Sequence, residues 1–438
     1  MRTTKRISTL ARAMACSVAV FGGAVAPAIS QDVIQLRMTT GDGSGALGVH
    51  AIIDKWNAEH PEIQVSVEEQ AGDSWEFTFA TTVFRAVDGP NLSTWGCATS
   101  EQYRDMIAAE MLLPIEGLWE DGAFSSDAER YYTERDGHKY GIPVSVVYTP
   151  LVYYSKAIFE ELGLTPPTTW DELRAITMAV RNAGYAPLVS LYDYGMVSHL
   201  PDGLALQYLG EEEYYALINN WSPESSEEER AYKWTDPNGI RFFTALQEIG
   251  GEGGLAADGF AGITDDSVAM SLFVSGRAAM WQSGSWGVSQ LNGSDIDYGY
   301  FYYPSASEEN YGGAGAWLAS CVIGFDRGSA EVNEATRMVL EQFATRDGQL
   351  LHATAAGFTP ARVDFSSEEL ERFLPPNTVS ISDDAANTGA PPLIEAVIPK
   401  GLLAELKEAV GDALLGVATP EEAAQRLQDA WEEVRNGS

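Results

Sequence analysis

The chain has 438 residues, with 63 acidic side chains against 27 basic ones and a formal net charge of −36. A surface this acidic repels nucleic acid and anionic lipid, so we expect neither as a partner. The length exceeds what a single hydrophobic core usually supports, which predicts two lobes of ordinary size.

The first thirty residues have the pattern of a secretory signal peptide, with a basic start and a small, apolar stretch over residues 14–26. Cleavage is expected after Ser30 or Ala28, which places the mature protein in the periplasm without a membrane helix. Loss of the four basic leader residues would bring the net charge to −40. A lipid anchor at Cys16 is disfavoured, because Arg12 leaves almost no apolar region before it.

The stretch "VIQLRMTTGDGSGALGVHAIIDKW" predicts a strand, a glycine loop and a helix, since apolar residues recur at helical spacing in its second half. A G-x-G-x-x-A pattern starts at Gly41 and fits a loose dinucleotide fingerprint. An exported protein meets no nicotinamide cofactor, however, and no second nucleotide motif follows, so we expect no cofactor. The free N–H groups of the helix start, with Asp42 and Ser44 beside them, predict the rim of a ligand cleft instead.

Strand-like runs alternate with amphipathic helices along the rest of the chain, which predicts α/β lobes with mostly parallel sheets. The runs "EIQVSVEEQ" and "NLSTW" are predicted strands, and "EQYRDMIAAEMLLPI" is a predicted helix. The proline-punctuated segment that begins "KYGIPVSVVYTPLVYY" suits a crossing between the lobes. Thr169 and Glu172 form a capping box for the next helix. The stretch "TPEEAAQRLQDAWEEV" predicts a last helix that packs on the second lobe.

Several stretches together resemble the extracellular solute-binding proteins of carbohydrate ABC importers, the maltose-type group. The most specific are "KYGIPVSVVYTPLVYYSKAIFEELGLTPPTTWDEL" and "FVSGRAAMWQSGSW", and three more are "WNAEHPEIQV", "DGPNLSTWG" and "YGGAGAWLASCVIGF". The resemblance covers nearly all of the mature sequence. The family usually has Asp where this chain has Asn91 and Asn where it has Ser155, two departures that concern ligand detail rather than fold.

The resemblance implies a two-lobe, type II periplasmic-binding-protein fold whose hinge the chain crosses three times, near residues 146–150, 298–303 and 344–348. Lobe one would comprise 31–147 and 302–346, and lobe two 148–301 and 347–438. It also implies a monomer that captures a mono- to oligosaccharide by hinge closure and delivers it to the membrane permease subunits of an ABC importer.

A sugar site needs carboxylates or amides for the hydroxyl groups and aromatic rings for the flat C–H faces. Aromatic residues make up 11% of the chain, and several follow predicted strands. Trp286 lies among small residues in "GSWG", and Asp193 lies between two tyrosines. The resemblance adds Tyr148 and the strand-end Trp95. The candidate ligand-binding residues are Asp42, Ser44, Trp75, Trp95, Tyr148, Tyr192, Asp193, Trp286 and Trp317.

Other function classes find less support in the sequence. No Gly-x-Ser-x-Gly motif occurs, because "SGSWG" has Ser283 in place of the first glycine. The five histidines have no metal-ligand spacing, so neither catalysis nor a metal is expected. Two alternatives stay open, a binding protein of the same fold for a non-sugar ligand such as a polyamine, and a sensor that presents its ligand to a chemoreceptor or kinase. Cys97 and Cys321 either form a disulfide or remain buried free thiols.

Overall fold

The computed structural model describes residues 33–41, 43–70, 84, 86, 88–95, 101–120, 122–125, 137–304, 315–317, 321–388 and 391–437. The strands in these ranges are β1 (Ile34–Gly41), β2 (Ile63–Gln70), β3 (Leu92–Trp95), β4 (Gly141–Pro143), β5 (Ser145–Thr149), β6 (Leu151–Ser155), β7 (Ala186–Val189), β8 (Ala278–Ser283), β9 (Tyr298–Phe301), β10 (Gly315–Trp317), β11 (Cys321–Gly324) and β12 (Thr359–Pro360).

The helices in the same ranges are α1 (Ser44–Glu59), α2 (Glu101–Ala108), α3 (Lys156–Leu162), α4 (Trp170–Asn182), α5 (Leu200–Asn219), α6 (Pro237–Gly250), α7 (Asp266–Val274), α8 (Gly287–Leu291), α9 (Ala330–Ala344), α10 (Arg346–Ala356), α11 (Ser367–Leu370), α12 (Pro376–Thr388), α13 (Ile394–Val397), α14 (Lys400–Leu414) and α15 (Pro420–Asn436). A π-helical turn, Tyr192–His199, leads directly into α5.

Two outer sheets form the centres of the two lobes. The first has the strand order β2-β1-β3-β11-β4, and its core includes apolar residues of α1 and α9. The second has the order β7-β8-β6-β9, and the largest core of the molecule joins it to α4, α5, α6, α14 and α15. Each lobe therefore has its own hydrophobic core, as the length of the chain predicts.

A third sheet has three strands in the order β10-β5-β12. In chain order, β5 and β10 each stand between a strand of one outer sheet and a strand of the other. Strand β5 follows β4 of the first sheet and precedes β6 of the second, so it is a passage from one lobe to the other. The proline-punctuated segment around residue 145 is thus confirmed as an extended crossing.

The outer sheets are mixed, which corrects the expectation of mostly parallel ones. Within the described strands, β1 pairs in parallel with β2 and β3, and β7 pairs in parallel with β8. The antiparallel pairs of the outer sheets all involve β6 or β11. Both of these strands directly follow a strand of the three-stranded sheet, so they enter their own sheet from its opposite end.

Several local predictions are confirmed. The opening stretch is strand β1, a short glycine loop and helix α1, and β3 ends at Trp95. The Thr169 hydroxyl accepts from the backbone N–H of Glu172, whose carboxylate accepts from the backbone N–H of Thr169, so the capping box is complete. The last helix, α15, packs against α6 and α14, and its Trp431 lies in the core of the second lobe.

Two features refine the expectations for lobe one. Helix α10 packs along α1, with the His352 ring against Gly48, which favours an end of lobe one later than residue 346. Cys321 is disulfide-bonded. Cys97 lies outside the described residues, so its pairing with Cys321 stays a prediction. None of the described helices combines the length and the hydropathy that a bilayer crossing requires.

Candidate functional site

A cavity of about 360 Å³ lies between the start of α1 and the second sheet. Residues from three parts of the chain line it. Gly43, Ser44 and Gly45 come from α1 and the loop before it, Val147, Thr149 and Phe358 lie in or next to the three-stranded sheet, and Ser190, Leu191, Tyr194, Gly195, His199, Asp266, Gln282, Ser283, Trp286 and Gln290 come from the second lobe. The site therefore combines groups from both lobes and from the passage between them.

The strand directions explain why these residues meet. Strand β1 ends at Gly41 and leads into the loop before α1, and the parallel strands β7 and β8 end at Val189 and Ser283. In open α/β sheets ligands bind in the crevice outside the carboxyl ends of the strands. The cavity occupies such a crevice on the second sheet, and the start of α1 faces it.

Three rings form one side of the cavity. Trp286 lies with its ring centroid 5.3 Å from that of His199 and 6.4 Å from that of Tyr194. The rings of Tyr194 and His199 meet edge to face at 4.1 Å. The Trp286 ring also folds back over Gly284, where any Cβ atom would lie 2.0 Å from it. Only glycine fits at that position, which gives the "GSWG" motif a steric reason.

A π-helical turn places Tyr194 and His199 at the cavity. Its last residues and α5 follow without a break, so His199 is held at the start of a long buried helix. The backbone carbonyl of Gly195 accepts a hydrogen bond of 2.7 Å from Gln282 Nε2, which ties the turn to β8. Wider turns of this kind are rare and are frequently found at functional sites.

The polar lining is rich in neutral groups. The Thr149 hydroxyl is buried and has no hydrogen-bond partner among the described residues. Gln290 donates to Asp266 Oδ2 at 2.9 Å, and burial nevertheless raises the pKa of Asp266. None of the described lining residues is Lys or Arg. The cavity therefore offers hydroxyl, amide and carboxyl groups but no permanent positive charge.

Two acidic residues lie near the rings, the buried Asp202 and the largely buried Glu395. His199 Nε2 is 3.4 Å from Glu395 Oε1. The pKa of Glu395 is lower than its usual value. Burial acts to raise it, but the contact with His199 and the charge of Lys407 together have the larger effect. Asp202 accepts a 2.6 Å hydrogen bond from the backbone N–H of Ile394, and burial, assisted by the charge of Glu395, raises its pKa well above the usual range. Glu395 is therefore the ionised member of the pair.

The cavity brings together two of the predicted site residues, Ser44 and Trp286. Tyr148 is buried instead, with its hydroxyl hydrogen-bonded to Ser382 and its pKa raised to about 12 by burial. Tyr192 packs on Phe260 at 5.9 Å, and Asp193 is exposed. Neither Tyr148, Tyr192 nor Asp193 lines the cavity, so their ligand roles stay predictions.

The other predicted residues are described in part or not at all. Trp95 ends β3, where its backbone pairs with that of Cys321. Trp317 ends β10, and its backbone pairs with that of Val147, a lining residue. Asp42 and Trp75 lie outside the described residues.

Sequence reasoning missed His199, Asp266 and Gln282 as cavity residues. His199 carries no metal-ligand spacing, and Asp266 is one of 63 acidic residues, so neither has a local signal. Gln282 lies four residues before Trp286 within the recognised "GRAAMWQSGSW" block, which is the one signal that points to it. Among the described residues no group of three or more potential ligands is arranged to hold a metal ion.

Comparison with known proteins identifies the family. Residues 42–319 match the family described as bacterial extracellular solute-binding protein, and the chain belongs to that family. It is 24% identical over 238 residues to the sn-glycerol-3-phosphate-binding periplasmic protein of Rhizobium meliloti, an alignment that covers 49% of this chain and 50% of that protein. The chain thus spans about half the length of the curated relatives it matches.

Solved structures share the whole fold at lower identity. A chitin oligosaccharide binding protein superposes with a TM-score of 0.76 at 21% identity, over 93% of this chain and 100% of that one. The maltose/maltodextrin-binding domain from Bdellovibrio bacteriovorus, bound to maltotriose, gives 0.69 at 18% identity, over 91% and 99%. The two-lobe, type II fold implied by the sequence is confirmed.

Proposed function

We propose that this solute-binding protein captures a neutral sugar in the cavity between its lobes, in the periplasm, and delivers it to the permease of an ABC importer. On this proposal the protein binds its ligand as a monomer, without catalysis, by closure of the hinge. Lobe one comprises residues 31–147 and a second segment that starts at residue 302 and ends after residue 346. Lobe two comprises the remaining residues. The names of two solved structures that share the fold, a chitin oligosaccharide binding protein and a maltodextrin-binding domain bound to maltotriose, support this class of ligand.

The observation that carries the proposal is the composition of the cavity. The rings of Trp286 and Tyr194 offer apolar faces for the C–H surfaces of a sugar. Beside them, Ser44, Thr149 and Gln290 offer hydroxyl and amide groups for its hydroxyls. A largely apolar concave site with a few convergent polar groups is the usual form of a small-molecule site.

A phosphorylated ligand fits this cavity less well, although the curated relatives are named for glycerol 3-phosphate. Phosphate recognition relies on Arg or Lys side chains or on clusters of N–H donors. The described lining residues include no Arg or Lys, which leaves the N–H groups at the start of α1 as the donors for a phosphate, and Asp266 would repel an anion once ionised. A neutral ligand needs no cationic side chain and is not repelled by Asp266.

A polyamine would need several carboxylates around the ligand, and Asp266 is the one acidic residue in the described lining. The raised pKa of that carboxyl, caused by burial, further weakens it as a partner for a cation. The sensor alternative concerns the recipient of the closed complex, and it uses the same cavity and the same ligand class.

A thermal-shift screen tests the ligand class. The panel comprises maltotriose, raffinose, a chitin oligosaccharide, glycerol 3-phosphate and spermidine. A ligand at 100 times its dissociation constant adds about 2.7 kcal/mol to the free energy of unfolding, so a true ligand raises the melting temperature clearly. We expect stabilisation by a neutral sugar. Stabilisation by glycerol 3-phosphate or spermidine alone would overturn the proposal.

A further inference from the structure

His199 is not one of the proposed sugar contacts, yet its ring lies between those of Tyr194 and Trp286 on the aromatic side of the cavity. Its side chain is buried, and its ring nitrogens make no hydrogen bond of good geometry to a described residue, although Nε2 lies 3.4 Å from the Glu395 carboxylate. Buried polar groups normally find partners, so an exception of this kind asks for a reason. Two sets of contacts around the ring supply one.

The first set consists of the two rings that face the cavity. The imidazole meets Tyr194 at 4.1 Å and Trp286 at 5.3 Å, in both cases with an angle of 62° between the planes. Edge-to-face arrangements are the preferred geometry of aromatic pairs. The imidazole is therefore in direct ring contact with two aromatic side chains that border the cavity.

The second set holds the imidazole itself. Glu395 lies 3.4 Å from His199 Nε2 and belongs to α13, which begins at Ile394. The N–H of Ile394 donates to Asp202, three residues after His199 on the same continuous helix. The segment that carries Glu395 is thus anchored to the segment that carries His199, and this closed arrangement fixes the carboxylate opposite the ring.

The charges around this arrangement favour an ionised Glu395. The uncharged rings of Tyr194 and Trp286 face His199 from the cavity side. The contact with His199 and the charge of Lys407 on α14 lower the pKa of Glu395 against the effect of burial, and burial raises the pKa of Asp202. The imidazole therefore faces a carboxylate rather than a neutral acid.

We propose that His199 is a positioning residue of the ligand site: oriented by Glu395, its ring sets the angle at which Trp286 and Tyr194 face the ligand. This inference rests on the proposed function for its purpose, but its geometry is independent of which sugar binds. The position of a stacking ring matters because binding energy depends on complementary placement of the contact surfaces.

The test uses the ligand-free full chain labelled with fluorotryptophan, and the Trp286 ring is its own probe. Fluorine NMR signals are assigned by their loss in Trp286→Phe, Trp234→Phe and Trp431→Phe. In Glu395→Gln and in His199→Phe the Trp286 signal should shift by more than its line width. The signals of Trp234 and Trp431, which lie in the core of the second lobe, should stay in place. Glu213→Gln is the matched control, a buried carboxylate of α5 that pairs with Asn238.

A double variant shows whether Glu395 acts through His199. On the His199→Phe background, Glu395→Gln should cause no further shift of the Trp286 signal, because the group that transmits the effect is gone. Additive shifts would overturn the proposal, as would an unchanged Trp286 signal in Glu395→Gln or equal shifts of all three tryptophans. A negative sugar screen would refute the proposed function instead, since none of these spectra needs a ligand.

Discussion

Two buried histidines of this protein lie in different surroundings. His352 on α10 packs against Gly48 of α1, and His199 lies under the cavity between Tyr194 and Trp286. Each residue is 1% exposed, and among the described residues neither imidazole makes a hydrogen bond of good geometry. The two imidazoles differ in their neighbours. His199 faces the carboxylate of Glu395, whereas burial is the one cause that shifts the pKa of His352, which it lowers to about 4.

This difference shows that burial of a titratable group does not by itself identify a site. His352 fills space between two helices, and we expect its removal to affect folding. His199 connects a buried carboxylate to rings that border a cavity, and we expect its removal to affect the site. Separate measurements of unfolding and of ligand binding distinguish a contribution to stability from a contribution to the site.

The largest expected effect is the dependence of stability on pH that His352 causes. The unfolded chain binds a proton on this histidine below pH about 6.5, whereas the folded chain binds it only near pH 4. The contribution of the neutral His352 to the free energy of unfolding is therefore fully present above pH about 6.5. It decreases by about 3 kcal/mol as the pH falls toward 4. Chemical denaturation of wild type and His352→Leu at several pH values measures it.

The comparison with the variant is essential, because Asp202 and Asp266 have raised pKa values and change stability in the opposite direction. The loss between pH 6.5 and 4 should be smaller by about 3 kcal/mol in His352→Leu than in wild type. Equal losses in wild type and His352→Leu would show that His352 is not the cause.

Trp286→Ala tests the cavity. Loss of a stacking ring should weaken sugar binding by about 1–3 kcal/mol, through lost aromatic contact and buried area. Calorimetry with the sugar that the thermal-shift panel identifies measures the change. Trp221→Ala is a matched control, because Trp221 is also partly exposed but does not line the cavity. An unchanged affinity with a lower melting temperature would mean that Trp286 serves the core.

A smaller effect is expected for Tyr148→Phe, which removes the hydroxyl bound to Ser382 and nothing else. A lost buried hydrogen bond costs about 1 kcal/mol of stability. The sugar affinity should stay the same, because Tyr148 does not line the cavity. Denaturation and calorimetry on the same preparation distinguish the two effects. A clear loss of affinity would instead restore Tyr148 as a ligand contact.

Much of the fold was predictable because its signals are local. The glycine loop before α1, the capping box at Thr169 and the amphipathic α15 each depend on a few neighbouring residues. The direction of the strands was not predictable from the sequence, because the antiparallel pairing of β6 and β11 follows from passages of the chain between the lobes. A strand pattern carries no information about the end from which it enters a sheet.

The site was predictable where a residue stands in an unusual local context. Trp286 among small residues and Ser44 at a helix start have such contexts, and both line the cavity. His199, Asp266 and Glu395 have none, since their roles depend on partners far away in sequence. Tyr192 and Tyr194 show the limit well: the π-helical turn directs one to Phe260 and the other to the cavity, and no sequence period predicts such a turn.

The most direct test of the account is solution scattering on the protein with and without its sugar. The cavity takes Ser44 from one lobe and Trp286 from the other, so a ligand that contacts both favours the closed state and must compact the molecule. We expect a smaller radius of gyration at saturating sugar, with the same midpoint as the change in tryptophan fluorescence that Trp286→Phe abolishes. Tight binding without compaction and without a Trp286 signal would contradict it, because the ligand would then bind outside this cavity.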